Sequence, residues 1–303
     1  MQTGNDFNAY TPKEMAQKAV KVGVAKANLG AGPMFLLAVL AGAFIALGAC
    51  FFVTAITGIP AALVGPGRVL GGLAFCLGLI LVVVGGAELF TGNILILMAF
   101  LSKKVTLGRL LRNWAIVYVG NLVGSLLIAA LVYYAWQWKM GEFSVGAMAY
   151  CLAGKKMSMP FVTAFCSGVL CNVLVCLAVW LCYSARSTAD KILAIIFPIT
   201  AFVALGFEHS VANMYCIPYG MALARTGEFL SSPAAAEATG KFSPSIFTLH
   251  NFIVGNLLPV TLGNIVGGGL LVGVVYWFAY LGGKTEESVP DYVVVREDAR
   301  IEA

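Results

Sequence analysis

Charge is what this sequence has least of. Asp, Glu, Lys and Arg make up 11% of its 303 residues, against about 25% in a soluble domain. So little charge cannot coat a water-facing surface, and soluble-enzyme readings fail on that ground. Nucleic-acid binding fails with them. The net charge of +5 comes from Lys and Arg spread over short connections and the chain ends, not gathered on one face. Histidine is nearly missing, with 2 residues, and no Cys-x-x-Cys pairs with either. Neither a metal nor a cofactor is expected. Disulfides have little support. Cys50, Cys76, Cys166, Cys171, Cys176, Cys182 and Cys216 lie inside apolar runs, and Cys151, in a connection, has no partner there. All read as small buried hydrophobes. The N-terminal segment is polar and lysine-bearing, without the apolar stretch of a signal peptide.

Hydrophobic residues, in contrast, reach 60%, with a mean hydropathy of +0.90. Charge-free runs cover 27–67, 69–87, 89–102, 113–138, 157–185, 192–207, 210–224 and 242–283. A membrane-spanning helix needs about 20 residues. Four runs suffice alone; the first helix is expected to start at Pro33, and the last to use the C-terminal part of its run. The other four are short and come in pairs, interrupted by Glu88 and by Glu208-His209. Each pair reads as one broken helix. The expectation is an all-α membrane protein of six transmembrane helices, with the second and fifth broken.

The two interruptions match. Gly86-Ala87-Glu88 precedes Asn93, and Gly206-Phe207-Glu208 precedes Asn213, both reading G-x-E-x-x-x-x-N. Asn113, Gly120, Asn121 and Gly124 share their spacing with Asn256, Gly263, Asn264 and Gly267. The halves therefore read as repeats. Three spans is an odd number, so the second copy enters from the opposite face. This is an inverted 3+3 repeat, with its breaks near the midplane. The N-terminus, the 2–3 and 4–5 connections and the C-terminus hold 13 of the 19 Lys and Arg residues. By the positive-inside rule both termini are cytoplasmic.

Three segments follow. Residues 1–29 read as a cytoplasmic amphipathic helix lying on the bilayer surface. Thr11-Pro12-Lys13-Glu14 supplies a capping box, and Met15, Val20, Val22 and Val24 supply the apolar side. Residues 30–283 form the six-helix domain, and residues 284–303 a disordered tail.

A helix broken in lipid leaves backbone groups unpaired, which is tolerated only inside protein or along a cavity. Two such breaks, one per half, point to a path for something small. Ionisable residues at that depth are functional by default. Glu88 and Glu208 occupy equivalent places and are expected to hold the loops by accepting from freed N–H groups, with Asn93 and Asn213 beside them. His209 stands where the first half has Leu89, so the fold does not require it. It is expected to donate a hydrogen bond, or lend a proton, to an oxyanion. Phe75, Leu79, Leu89, Phe90 and Phe202 flank the breaks and are expected to form an apolar constriction that resists hydrated ions.

Gly206-Phe207-Glu208-His209-Ser210-Val211-Ala212-Asn213-Met214 resembles the signature of the formate–nitrite transporter family. So do Gly85-Gly86-Ala87-Glu88-Leu89-Phe90-Thr91, Arg112-Asn113-Trp114, Ile217-Pro218 and Pro259-Val260-Thr261-Leu262-Gly263-Asn264-Ile265-Val266-Gly267-Gly268. The chain looks like the bacterial formate-channel branch over residues 11–281. The resemblance implies an aquaporin-like fold and a homopentamer in the bacterial inner membrane. It implies transport of formate and other small monovalent anions, with protons as a further partner; nitrite or hydrosulfide remains the alternative substrate. It also implies that Thr91 faces His209 in the pore, that Asn172 and Asn264 line it, and that Lys156 stands at its outer mouth. The sequence departs from many formate channels in having Phe90-Thr91-Gly92 where they have Phe-Thr-Ser. It lacks Asn-Pro-Ala at either break, which weakens a neutral-solute channel, and it lacks the nucleophile cluster of a membrane enzyme.

Overall fold

Thr11 begins the first helix, α1 (Pro12–Asn28). Its hydroxyl accepts from the Glu14 N–H at 3.5 Å, and its own N–H donates to the Glu14 carboxylate at 2.7 Å. Proline follows, where no N–H is needed. The computed structural model describes residues 8–282, so the tail expected to be disordered lies outside the described residues. The buried face of α1 is not the valine side. Met15, Ala16, Ala19, Gly23 and Ala27 are buried, while Val20, Val22 and Val24 are half-buried. Small residues win because they let α1 lie close against the segment around Ile96 and Ala99.

The remaining order is α2 (Ala31–Ile56), α3 (Val64–Gly85), α4 (Phe90–Leu101), α5 (Leu107–Tyr134), α6 (Ser144–Met157), α7 (Phe161–Ser184), α8 (Thr188–Leu205), α9 (Ser210–Leu223), α10 (Pro233–Lys241) and α11 (Asn251–Leu281). No strand occurs among the described residues. Six helices, α2, α3, α5, α7, α8 and α11, are long and apolar enough to cross a membrane. The first starts at Ala31, two residues before the expected Pro33. Cys151 lies in α6 rather than in a loop. All eight cysteines are free.

α3 and α8 stop in the same way. Gly86 (φ 76°) and Gly206 (φ 75°) adopt the left-handed conformation that a side chain resists. The next N–H groups turn back, Ala87 to the Val82 carbonyl (2.9 Å) and Phe207 to the Phe202 carbonyl (3.0 Å), which ends each helix. After Glu88-Leu89 and Glu208-His209 the chain turns helical again, as α4 and α9.

Close helix packing positions these turns. A Cβ on Gly124 of α5 would run into the Val39 carbonyl of α2, and one on Gly267 of α11 into the Val169 carbonyl of α7. Small residues at such crossings substitute for a hydrophobic driving force that lipid does not provide. α11 carries wide-turned π stretches at Asn251–Leu257 and Val266–Val274.

Candidate functional site

Each interruption is held by one asparagine from a neighbouring helix. Asn121 of α5 donates to the Glu88 carbonyl (2.9 Å) and the Ala38 carbonyl (2.8 Å), and its Oδ1 accepts the Phe90 N–H (2.9 Å). Asn264 of α11 donates to the Glu208 carbonyl (3.0 Å) and the Gly168 carbonyl (2.8 Å), and its Oδ1 accepts the Ser210 N–H (3.0 Å). These amides satisfy the freed backbone groups, which the glutamates were expected to do. Both are fully buried. The Asn264 amide is thus fully occupied by backbone.

The glutamate carboxylates face cations and amides instead. Glu88 accepts from the Lys26 ammonium at 2.6 Å and the Asn93 amide at 2.6 Å. Glu208 accepts from the Lys156 ammonium at 2.9 Å and the Asn213 amide at 2.7 Å. Asn93 also donates to Asn113 Oδ1 (2.9 Å), and Asn213 to Asn256 Oδ1 (2.7 Å). Asn113 then donates to the Lys26 carbonyl (3.2 Å), and Asn256 to the Lys156 carbonyl (3.0 Å). A charge buried this deeply needs both an opposite charge and hydrogen bonds. Burial favours the neutral amine of Lys156, but Glu208 outweighs this and raises its pKa above the ordinary lysine value. Lys156 therefore stays a cation, and one already paired, not a free outer charge.

Lys26, Asn113, Asn121 and Asn256 had no functional role in the sequence reading. For the asparagines the signal was there, in the shared spacing of the third and sixth spans. For Lys26 the sequence carries only a lysine ahead of the first span, as Lys156 stands ahead of the fourth.

Two cavities approach each other from opposite ends. The one on the α6 side has a volume of about 400 Å³ and reaches Phe75, Phe202, Glu208 and His209. The one on the α1 side, of about 330 Å³, reaches Leu79, Glu88, Leu89 and Gly92. Phe75 and Leu79 are one turn apart on α3, about 6 Å along the axis, so the barrier between the cavities is thin. Phe75 and Phe202 meet edge to face at 5.4 Å. Phe90, expected in the constriction, lines neither cavity. Its ring packs edge-on to Tyr118 (4.9 Å) and Trp114 (6.3 Å), because the α4 turn points it toward α5.

Within the barrier, Thr91 Oγ1 and His209 Nε2 lie 2.8 Å apart, both buried. The Ala212 N–H donates to His209 Nδ1 at 3.1 Å, so that nitrogen is an acceptor. The ring proton of neutral His209 then sits on Nε2 and is donated to Thr91. The Thr91 carbonyl accepts from the Asn172 amide (3.3 Å) and the Cys176 thiol (3.3 Å). Asn172 also donates to the Asn264 carbonyl (2.7 Å), while its Oδ1, buried, has no hydrogen-bond partner. Thr91, His209 and Asn172 are thus brought together; Asn264 touches this group only through its backbone. No cluster of three metal-binding side chains occurs among the described residues.

Comparison with known proteins gives this arrangement a context. The family description Formate/nitrite transporter matches residues 13–278. The formate channel FocA of Escherichia coli strain K12 is 43% identical over 284 residues, covering 93% of this chain and 98% of that protein. Its namesake in Haemophilus influenzae is 41% identical, covering 88% and 93%. A solved pentameric formate channel with formate bound superposes with a TM-score of 0.75 at 42% identity, covering 83% of this chain and 98% of that one. With such coverage at both ends, the chain belongs to the formate/nitrite transporter family.

Proposed function

We propose that the protein is a formate channel of the bacterial inner membrane, working as a homopentamer with one pathway in each protomer. The observation that carries this is the Thr91–His209 pair, polar and buried, set in an apolar barrier one helical turn thick between two cavities. The names of the relatives favour formate over nitrite or hydrosulfide as the substrate. The two networks support an inverted 3+3 repeat. The three bonds of Asn121 have their counterparts from Asn264, and the bonds of Asn93 to Glu88 and Asn113 have theirs from Asn213 to Glu208 and Asn256. The match ends at Asn93 Oδ1, which accepts from Lys26 at 3.0 Å, whereas Asn213 Oδ1 has no partner among the described residues. On this reading α3 with α4, and α8 with α9, are the two broken spans. Both termini are placed in the cytoplasm by the lysine and arginine bias, so the α1-side cavity faces the cytoplasm and Lys156 the outside.

A bare carboxylate in a dry apolar slit is costly. Thr91 and His209 lower that cost by donating to it. The His209 Nε2–H, now given to Thr91, turns to an arriving oxygen, and the released Thr91 hydroxyl offers a second donor. Asn172 keeps Thr91 in place through its carbonyl. Proton lending is the weaker part of the expectation. An imidazolium needs a proton on Nδ1, where the Ala212 N–H already points. Hydrogen-bond donation by neutral His209 therefore fits the geometry better than transfer of its proton. Phe75 and Phe202 on one side, and Leu79 and Leu89 on the other, exclude the hydration shell. Lys26 and Lys156 hold the turns through Glu88 and Glu208, and their charge offsets the carboxylates that the turns require.

The test is uptake of radiolabelled formate into liposomes containing the purified protein, with nitrite and hydrosulfide as competitors. Saturable uptake, inhibited only weakly by the competitors, is the expected result. Uptake no faster than in protein-free liposomes would reject the reading.

A further inference from the structure

The α1-side cavity holds two further lysines that the Glu88 network does not use. Lys18 of α1 and Lys191 of α8 both line it, beside Cys182, Tyr183 and the Lys26–Glu88 pair. The two lysines come from different elements, and neither has a carboxylate partner among the described residues. The Lys18 ammonium donates to the Tyr183 carbonyl, at 3.1 Å. It also sits over the Tyr10 ring at 4.4 Å, with the Arg186 guanidinium over that ring too, at 3.8 Å. Among the described residues Lys191 makes no ion pair. The acids nearby are engaged elsewhere. Asp190 accepts from the Arg186 and Ser187 N–H groups at the start of α8, Glu14 closes the capping box of α1, and Glu88 holds Lys26.

Cations brought together repel one another unless something offsets them. The Tyr10 ring face offsets part of this for Lys18 and Arg186. Nothing among the described residues does so for Lys18 and Lys191 across the cavity. Burial first, then Lys191 and Arg186, hold the Lys18 pKa below its ordinary value, as expected of a cation with unneutralised neighbours.

We propose that Lys18 and Lys191 form an anion-gathering pair at the α1-side mouth, holding a small monovalent carboxylate before it reaches Thr91 and His209. The proposal rests on the transport reading and assigns one step of it to residues outside the barrier. The carboxylate supplies the charge that the pair lacks, and bridges two elements that otherwise repel. Held there, it lies in the same cavity as Leu79 and Leu89, which close the way to the barrier. In the other cavity Lys156 is joined to Glu208, and the remaining cations, Arg68 and Lys155, are exposed rather than half-buried as Lys18 and Lys191 are. The two mouths therefore differ in how they collect substrate, and the difference is one of apparent affinity, not of capacity.

The test uses the full-length protein in liposomes sorted to one orientation, with formate supplied from either side in turn. Lys18→Gln, Lys191→Gln and the double variant are compared with the wild type at low and high ionic strength. For formate entering from the α1 side, the double variant is expected to raise the half-saturation concentration about two- to fivefold at low salt. The effect fades at high salt, maximal flux stays unchanged, and entry from the α6 side is unaltered. Lys18→Arg, which keeps the charge, restores the wild-type value. Unchanged half-saturation from the α1 side at low salt overturns the proposal. So does an equal change from both sides, or a loss of maximal flux, since either marks a structural role. A wild type that carries no formate rejects the transport reading itself, a separate outcome from an active wild type matched by its double variant.

Discussion

Glu208→Gln removes one charge from the middle of the protein and keeps the shape of the side chain. What it strands is Lys156, whose ammonium lies 2.9 Å from the carboxylate with only 11% of its side chain exposed. Deleting one partner of a buried pair costs about 3–5 kcal/mol. Lys156 also lines the α6-side cavity, so water reaches it and brings the cost below that range, to about 2–3 kcal/mol. For a chain of this size about 2–4 °C of melting temperature goes with each kcal/mol. The detergent-solubilised variant should therefore melt roughly 5–10 °C below the wild type. Lys156→Met should lose a similar amount, because it leaves a buried carboxylate unpaired. The double variant should recover most of the loss, since it buries no charge at all. Formate uptake carries the same sign. Lys156→Met alone leaves an anion facing the cavity and should slow entry from the α6 side, whereas the double variant should restore it. Single variants that each melt within about 1 °C of the wild type would refute the coupling. So would losses that simply add in the double variant.

Four further outcomes follow from the same geometry. Asn121→Ala and Asn264→Ala each remove three bonds to buried backbone groups and should cost about 2–4 kcal/mol, read as a fall in melting temperature at least equal to that of Glu208→Gln. Removing residues 1–28 takes Lys26 away from Glu88, so the truncated protein should lose thermal stability as well as any change in gating; an unchanged melting curve would make α1 a mere anchor. His209→Phe should abolish formate flux, while His209→Asn, which still offers an N–H, should keep part of it with little change in pH profile; a lost or strongly shifted profile in the Asn variant would favour proton lending. Because the Lys18 pKa lies below the ordinary 10.5, its charge disappears on alkalinisation before that of a free lysine. Formate affinity on the α1 side should weaken over that interval in the wild type, and not in Lys18→Arg.

Much of the framework was legible without coordinates, for physical reasons. Charge-free runs report spans because lipid penalises charge whatever the fold. The repeated G-x-E-x-x-x-x-N reports the turns because a left-handed glycine, a buried carboxylate and an amide to hold it must keep fixed spacing along one chain. What the sequence concealed depends on contacts between distant segments. Lys26 lies 62 residues before Glu88, on a helix whose lysines looked like those of a surface anchor. Only packing shows that small residues, not valines, face inward and bring Lys26 under the turn. Phe90 shared the apolar character of Phe75 and Phe202, but the helical turn it begins aims it at Tyr118. Asn264 was attached to the pathway by resemblance, although its spacing already equated it with Asn121. Two residues in equivalent places do the same work, and that work is holding backbone.

The same comparison explains where the chemistry sits. The networks around Glu88 and Glu208 agree in their main bonds because each solves the same problem, a buried turn with freed backbone groups. Equivalence ends at the barrier. Leu89 stands where the second half has His209, Val211 where the first has Thr91, and Gly42 where the second has Asn172. Those departures touch one another: Thr91 bonds His209, and Asn172 bonds the Thr91 carbonyl. Had both halves kept leucine and valine, the barrier would hold no donor, and a carboxylate would meet only hydrocarbon. Had both kept histidine and threonine, the thin apolar layer would fill with polar groups and admit water with its ions. One donor pair in an otherwise apolar wall lies between these limits. On the transport reading proposed above, it lowers the cost for a small carboxylate that can shed its water and accept two hydrogen bonds, and leaves the wall closed to ions that cannot.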